Sequence, residues 1–504
     1  MSAFVPLPLG QRIPGSVHSV SCSLPTMRDV VGYEEKDPDI TRHLTSGYPR
    51  FLVHPFARQL AEKHRQAGRT LWLTSSARMA GELAQHLGPG AQILAAGPST
   101  GSAGSGQADL NGVSHPENAE LATRAKAFLQ NVGGFLSSRE AEDRLVRLGA
   151  LPAAAPENLF PGDAAAEVKR HLRPAFPGAG ADDFFLASSG MNAVYAAFRA
   201  LAELQAGYGR TVWIQLGWLY LDTIAILKKF TAPGDYIYAR DVFDRATIER
   251  LFTEHGPRIA GIVTEVPTNP LIQTPDLPWL GALARRHGAA LILDPTVSSA
   301  FNVNLLPYAD VVTTSLTKYA ASEGDVIAGL AVVNPASPHA ARLRPKLTAL
   351  LEPVYPRDLA RLAAQIGKTE ALLARVHDSV PRVAAFLESH PAVRDVYWPR
   401  RAESRANFDR VARAPGAVGA MISFTLRGPL EKFYDRLRLP KGPSFGMTTT
   451  LICPFMFLAH YDLVTSEAGR AELAASGLDP NLLRLSVGTE PVEEIIAALA
   501  EALE

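Results

Sequence analysis

The sequence predicts an α/β protein: a large domain built on a mostly parallel sheet, followed by a smaller C-terminal α/β domain. Three observations predict it. From about residue 184, short apolar runs alternate with helical segments, the pattern of a parallel sheet with helices on both faces. After about residue 345 the chain turns helix-rich and then returns to strand patterns. The composition is that of a globular chain: 504 residues, 47 % apolar and 20 % charged, enough for two or three domains and a large core.

The elements follow in order. Residues 1–60 are rich in Pro, Gly and short polar motifs and read as an extended arm. Residues 61–160 form an extra segment: ARQLAEKHRQAG and ARMAGELAQHLG are helical, LWLTSS between them is strand-like, and 97–118 reads as an exposed loop. The large domain spans 161–345. Its strands are FFLASS, TVWIQLG, YIYARD, IAGIVTEV, ALILDP and DVVTTS, and its helices are MNAVYAAFRALAEL, LDTIAILKKF, RATIERLFTEH and LPWLGALARRHG. The small domain spans 346–504. It holds the helical LARLAAQIGKTEALLARVHDSVPRVAAFLESH, then AVGAMISFTL, LLRLSVG and a closing helix VEEIIAALAEAL.

Bulk properties exclude several function classes. Lys+Arg and Asp+Glu number 50 each, so the basic footprint of a nucleic-acid binder is missing. No apolar run is long enough to cross a bilayer. The opening MSAFVPLPLGQRIPG lacks the charged and apolar regions of a secretory signal, and a cytoplasmic protein is expected. Cys22 and Cys453 lie far apart without metal-ligand spacing. Neither a disulfide framework nor a metal site is expected, and both read as small core residues.

A sheet of this kind binds ligands at the carboxyl ends of its strands. That puts LASSGM, TEVPTNP, ILDPT and TTSLTK on one rim. No GxGxxG or GxxxxGK[ST] is present, so the usual nucleotide signals are missing. The rim instead carries Ser189, Gly190 and Met191 opening a helix, Asp294 at a strand end, and Lys318 after the hydroxyls of Ser315 and Thr317. A helix start offers N–H groups to a phosphate. A buried lysine has a lowered pKa and forms an imine, and an aspartate holds a positive charge. Phosphate, protonated ring nitrogen and carbonyl together describe pyridoxal phosphate.

Five stretches then carry a resemblance, in register from 188 to 498. SLTKY with GDVIAG resembles the SxTKY…DVxGG segment of the Cys/Met-metabolism family of pyridoxal-phosphate enzymes. SSGMNAV, EVPTNP, LILDPT and LLRLSVGTEPVEEIIAAL are similar to its other motifs in the same order. The resemblance implies a fold-type-I enzyme, with a seven-stranded-type sheet in its large domain, that acts on small amino acids. Lys318 would bind the cofactor covalently and move the Cα proton. Asp294 would face the ring nitrogen, although Pro295 follows where the family has Asn. Ser189, Gly190, Met191, Ser315 and Thr317 would hold the phosphate, and Asn269 the ring oxygen. Tyr220, in GWLYLDTIAIL, would stack on the ring and assist proton transfer.

Two residues further on, Asp222 departs from the family's small pair, and reads either as a helix cap or as a group that recognises an amine. Tyr48 and Arg50, in GYPRF, resemble the arm that reaches into a neighbouring subunit, which implies a homodimer or homotetramer with composite sites. Arg484 would clamp the substrate carboxylate, with Ser444 and Thr450 nearby.

The long front resembles the fungal-type, cystathionine γ-synthase-like branch, and LLEPVYPRDLARLAAQIG departs from the family at the site entrance. The front reads as a lid, an oligomer contact or a spacer. The resemblance implies γ-replacement on an O-succinyl- or O-acetylhomoserine with cysteine or another nucleophile. A γ-lyase or β-lyase acting on sulfur amino acids is the alternative. A catalytically silent scaffold would lack Lys318 or Asp294, and both are present.

Overall fold

Seven strands form the central sheet of the computed structural model, which describes residues 4–49, 51–94 and 110–504. Their order is Phe184–Ala187, Gly329–Val333, Val311–Ser315, Ala290–Asp294, Ile259–Glu265, Val212–Leu216 and Tyr236–Ala239. All six strands expected from the sequence are present. Ile259–Glu265 is buried at every position, as a strand covered on both faces must be. The seventh, Gly329–Val333, runs antiparallel to both neighbours. The sequence pattern missed it because an antiparallel return needs no crossover helix, so the strand–helix rhythm breaks there.

This topology gathers the strand ends. Glu265 and Asp294 pair across adjacent parallel strands, Ser315 ends the next one, and Gly329 lies opposite both Ser315 and Ala187. The four expected helices form over Gly190–Ala206, Leu221–Phe230, Arg245–His255 and Leu277–His287. The C-terminal part forms a four-stranded antiparallel sheet in the order Val393–Tyr397, Met421–Leu426, Leu483–Ser486, Leu451–Pro454.

The front of the chain is built into this body. Strands Arg69–Leu73, Gly112–Pro116 and Gln92–Ile93 form a three-stranded antiparallel sheet. Residues 112–116 were expected as loop. They are a strand with Val113 and His115 buried, and a single strongly apolar residue gave the sequence too little pattern to show it. Residues 97–109 of that expected loop lie outside the described residues. Met79, Leu83, Phe128, Leu129 and Val132 share one core with Ala193, Val194 and Ala197 of the large-domain helix. The segment therefore packs as part of the body.

The arm also departs from the expected extended form. Met27–Glu34 is a helix with a capping box: the Asp29 N–H donates to Thr26 Oγ1 at 3.2 Å and the Thr26 N–H donates to Asp29 Oδ2 at 3.0 Å. The arm is tied to the small sheet's surroundings. Leu24 N–H donates to the Lys441 carbonyl at 3.0 Å, Ser21 Oγ to the Pro443 carbonyl at 2.6 Å, and the Tyr434 hydroxyl to the Leu24 carbonyl at 2.9 Å.

A buried ionic cluster joins arm, front and small unit. Arg139, 1 % exposed, donates to Glu157 Oε1 at 2.5 Å, to Asp358 Oδ1 at 2.8 Å and to the Asp325 carbonyl at 2.8 Å. His18 meets Glu142 at 3.1 Å, which also accepts from Arg357 at 2.6 Å. Among the described residues no helix is long and apolar enough to cross a membrane.

Candidate active site

The site starts at the Gly190–Ala206 helix. Ser189 caps it, its Oγ accepting from the Asn192 N–H at 3.1 Å, while the N–H groups of Gly190 and Met191 stand at the start of a 17-residue helix. A Cβ on Gly190 would lie 2.7 Å from Ser315 Cβ, and one on Gly329 would lie 2.1 Å from the Ser189 carbonyl oxygen. Only glycine lets the helix start press this close to the two strand ends. The result is a cradle of N–H groups beside the Ser315 and Thr317 hydroxyls, a geometry that suits a phosphate. The Thr317 hydroxyl also bonds to the Ala328 backbone, accepting from its N–H at 3.2 Å.

Lys318 directly follows Thr317 of that cradle. Its amine donates to the Tyr48 hydroxyl and lies 4.3 Å from the Tyr48 ring centroid and 5.1 Å from that of Phe445. Burial, and then the Arg484 charge, hold its pKa well below the usual lysine range, against a smaller opposing pull from Asp294. An amine kept neutral is a nucleophile and a base. Tyr319, which follows it, adopts φ +60°, a costly conformation for a bulky residue. Three contacts hold it: its N–H donates to the Gly446 carbonyl at 2.9 Å, its hydroxyl donates to the Val297 carbonyl at 2.6 Å and accepts from the Ala420 N–H at 3.0 Å.

Asp294 is fixed by the turn that Pro295 begins. The Thr296 N–H donates to Asp294 Oδ1 at 2.7 Å, and the Ser315 N–H donates to Thr296 Oγ1 at 2.9 Å. Burial raises the Asp294 carboxyl, with the Thr296 hydrogen bonds and Lys318 opposing. A cation placed against it would pull that value down again. Glu265, its neighbour across the strands, accepts from the Tyr220 N–H at 2.6 Å through Oε1, while its buried Oε2 has no hydrogen-bond partner. Burial, and then the Asp294 charge, push Glu265 well above the usual carboxylate range.

Arg484 reaches in from the small sheet. It donates to Asn269 Oδ1 at 3.3 Å and lies 4.4 Å from the Phe455 ring and 5.2 Å from the Phe445 ring. Aromatic faces hold a guanidinium in place without using its forked donors. Ser444, at φ +101°, hydrogen-bonds the Tyr48 hydroxyl at 2.9 Å.

One cavity of about 850 Å³ unites these groups. Of the expected residues it is lined by Tyr48, Ser189, Gly190, Met191, Tyr220, Asn269, Asp294, Ser315, Thr317, Lys318, Ser444 and Arg484. Thr450 is not among them: its hydroxyl donates to Glu490 at 2.7 Å and accepts from the Gly488 N–H at 2.8 Å, which binds it to a turn instead. Arg50 lies outside the described residues. Tyr48, expected to reach a neighbouring copy, stands in its own chain's cavity, because the arm before it is bonded to the same chain's small unit. The front completes the wall through Ala57, Leu71, Leu73, Phe135 and Leu136, and Pro353–Pro356 stand at the rim.

Sequence reasoning missed Glu265, Thr296, Phe445 and Phe455. The first two lay inside quoted motifs, at a strand end and two residues past an aspartate, and both positions signalled a polar role. The two phenylalanines carried no such signal.

The model of a family described as "Cys/Met metabolism PLP-dependent enzyme" matches residues 179–504. An L-2-amino-4-chloropent-4-enoate dechlorinase/desaturase of Streptantibioticus cattleyicolor is 41 % identical over 498 residues, 98 % of this chain and 97 % of that protein. The cystathionine gamma-synthase of Neurospora crassa is 28 % identical, covering 99 % of this chain and 98 % of that protein. The crystal structure of a cystathionine gamma-lyase from Lactobacillus plantarum with L-serine superposes with a TM-score of 0.54 at 25 % identity, covering 63 % of this chain and 81 % of that one.

Proposed function

This chain belongs to the Cys/Met metabolism family of PLP-dependent enzymes, and we propose that within it the protein eliminates a leaving group from the γ-carbon of a free α-amino acid, with a γ-chloro, unsaturated amino acid as the preferred class. The chain has the fold-type-I architecture, and its cofactor is pyridoxal phosphate.

The residues fit that cofactor. The cradle of Gly190, Met191, Ser315 and Thr317 would take its phosphate, Asp294 its ring nitrogen, Asn269 its ring oxygen and Lys318 its carbonyl carbon. Bound there, it supplies an electron sink for negative charge at the amino acid's Cα. The other work falls to the chain. Arg484 presents paired donors to the α-carboxylate. Lys318, neutral by burial, takes the Cα proton and returns it. Tyr220, its backbone fixed by Glu265, stands over the site, and Tyr48 and Ser444 orient the lysine amine. The apolar wall from the front excludes water.

Lys318, Asp294 and Arg484 sharing one cavity is the observation that carries the reading. Chloride as leaving group is supported by the Streptantibioticus relative, whose similarity extends over the front segment as well as the family region. The net step is balanced: the C–Cl bond breaks with its electron pair on chloride, the side chain loses a proton, and one degree of unsaturation is gained. No oxidant is needed. Replacement on an O-activated homoserine is the second reading, favoured by the full-length likeness to the Neurospora synthase.

The experiment incubates the holoenzyme with L-2-amino-4-chloropent-4-enoate, with and without cysteine, and measures chloride release and product mass. Chloride released without thiol supports elimination. Release only with cysteine, as a thioether, supports replacement. No release from this substrate or from O-acetyl- or O-succinylhomoserine sinks both. We expect a homo-oligomer whose sites are each completed by their own chain.

A further inference from the structure

Asp222 is a carboxylate in the cavity wall that no step above uses. It is 1 % exposed and lies on the first turn of the Leu221–Phe230 helix, two residues after Tyr220. Two neutral amides from the front segment hold it. Gln130 Nε2 donates to its Oδ1 at 2.7 Å and Asn131 Nδ2 donates to the same oxygen at 2.9 Å. The Lys229 ammonium donates to Asn131 Oδ1 at 2.6 Å. That contact fixes the amide's orientation, because an ammonium has no acceptor and must meet the carbonyl end. The NH₂ end therefore faces Asp222, which must accept. Oδ2 takes part in no hydrogen bond among the described residues, and Asp222 lines the cavity that holds Lys318 and Arg484.

An amino acid with its α-carboxylate on Arg484 and its α-carbon at Lys318 directs its side chain into the rest of that cavity. We infer that Asp222 sets specificity there by charge: it rejects amino acids whose side chain ends in a negative charge and admits those with a neutral end. Like charges facing each other across a largely buried site repel, and such repulsion is a common basis of discrimination. A γ-chloride passes this gate, whereas an O-succinyl group and a second amino acid's carboxylate are disfavoured. The inference rests on the γ-elimination reading only for which substrates are so selected. It also gives the front segment a task, since Gln130 and Asn131 aim the carboxylate.

Glutamine and glutamate test it, being the same size and differing in end charge. Their dissociation constants are read from the visible spectrum of the holoenzyme, so no turnover is required. Wild type should bind glutamine at least about tenfold more tightly than glutamate. In Asp222→Asn the amide oxygen still accepts from Gln130 and Asn131, and the preference should fall to within about threefold. A wild-type protein with no preference overturns the inference whatever the variant does. A preference unchanged in Asp222→Asn overturns it too, and leaves Asp222 a residue that only joins two helices. Failure of the proposed reaction would show separately, as absent chloride release with the glutamine preference intact.

Discussion

Glu265 and Asp294 stand directly opposite each other at the ends of adjacent parallel strands, two carboxyls in one buried wall. Burial raises both, and the Asp294 charge raises Glu265 further. The folded apoprotein therefore keeps these protons to higher pH than the unfolded chain does. Stability from this pair is present below the ordinary carboxylate range and is lost as pH rises through the raised values. Glu265→Gln keeps an acceptor for the Tyr220 N–H and cannot ionise. The melting temperature of the apoprotein should fall more steeply between about pH 4.5 and 7 in wild type than in Glu265→Gln. Parallel curves would show that Glu265 holds its proton no more firmly in the folded protein than in the unfolded chain.

Lys318 is the amine on which the assignment turns. Lys318→Ala should reduce turnover at least about a hundredfold, the range of a lost general base, and abolish the absorption of a covalently held cofactor. Melting should stay near that of wild type, since an amine buried neutral contributes little to the fold. A purified variant that keeps its turnover would assign the chemistry to another group.

Tyr48 meets Lys318 of its own chain, and the proposal that each site is completed by its own chain is open to a direct test. Refolding a mixture of Lys318→Ala and Tyr48→Phe chains should give no more activity than the Tyr48→Phe chain alone. Arms exchanged between copies would instead create some wild-type sites and restore up to about a quarter of the activity in a dimer. That recovery would return the arm to a neighbouring subunit.

How much of this was legible in the sequence depends on local signal. The parallel strands announced themselves because two-sided burial makes continuous apolar runs, and Lys318, Asp294 and Ser189 lay at the ends of those runs. Gly329–Val333 was hidden because its antiparallel return carries no crossover helix. Thr450 was misplaced because a hydroxyl in a loop has no intrinsic direction, and Glu490 claims it. That Tyr48 meets Lys318 of the same chain was not legible either. A residue pair such as Tyr48 and Arg50 names a contact but not the copy that receives it. The front segment's role was invisible because Gln130 and Asn131 are ordinary helix-surface residues until tertiary packing sets them against Asp222.

Arg139 shows how the front is held to the rest. Its guanidinium, 1 % exposed, meets Glu157 and Asp358 and donates to the Asp325 carbonyl. Asp325 follows the Lys318 turn, and Asp358 lies on the helix behind the rim residues Pro353–Pro356. Burial alone would lower the arginine, but the carboxylates around it raise it instead, so the charge is kept. Arg139→Ala would leave Glu157 and Asp358 buried with less compensation, and removing one partner of such a cluster costs about 3–5 kcal/mol. Arg357 and Arg361 stand close enough to recover part of this, through Glu157 at 2.6 Å and Asp325 at 2.9 Å. Urea unfolding should therefore show a loss at the lower end of that range. Because Arg139 also lines the cavity, the KM for the amino acid should rise along with the lost stability. A variant with unchanged unfolding midpoint and unchanged KM would mean that the cluster neither holds the front segment nor shapes the cavity wall.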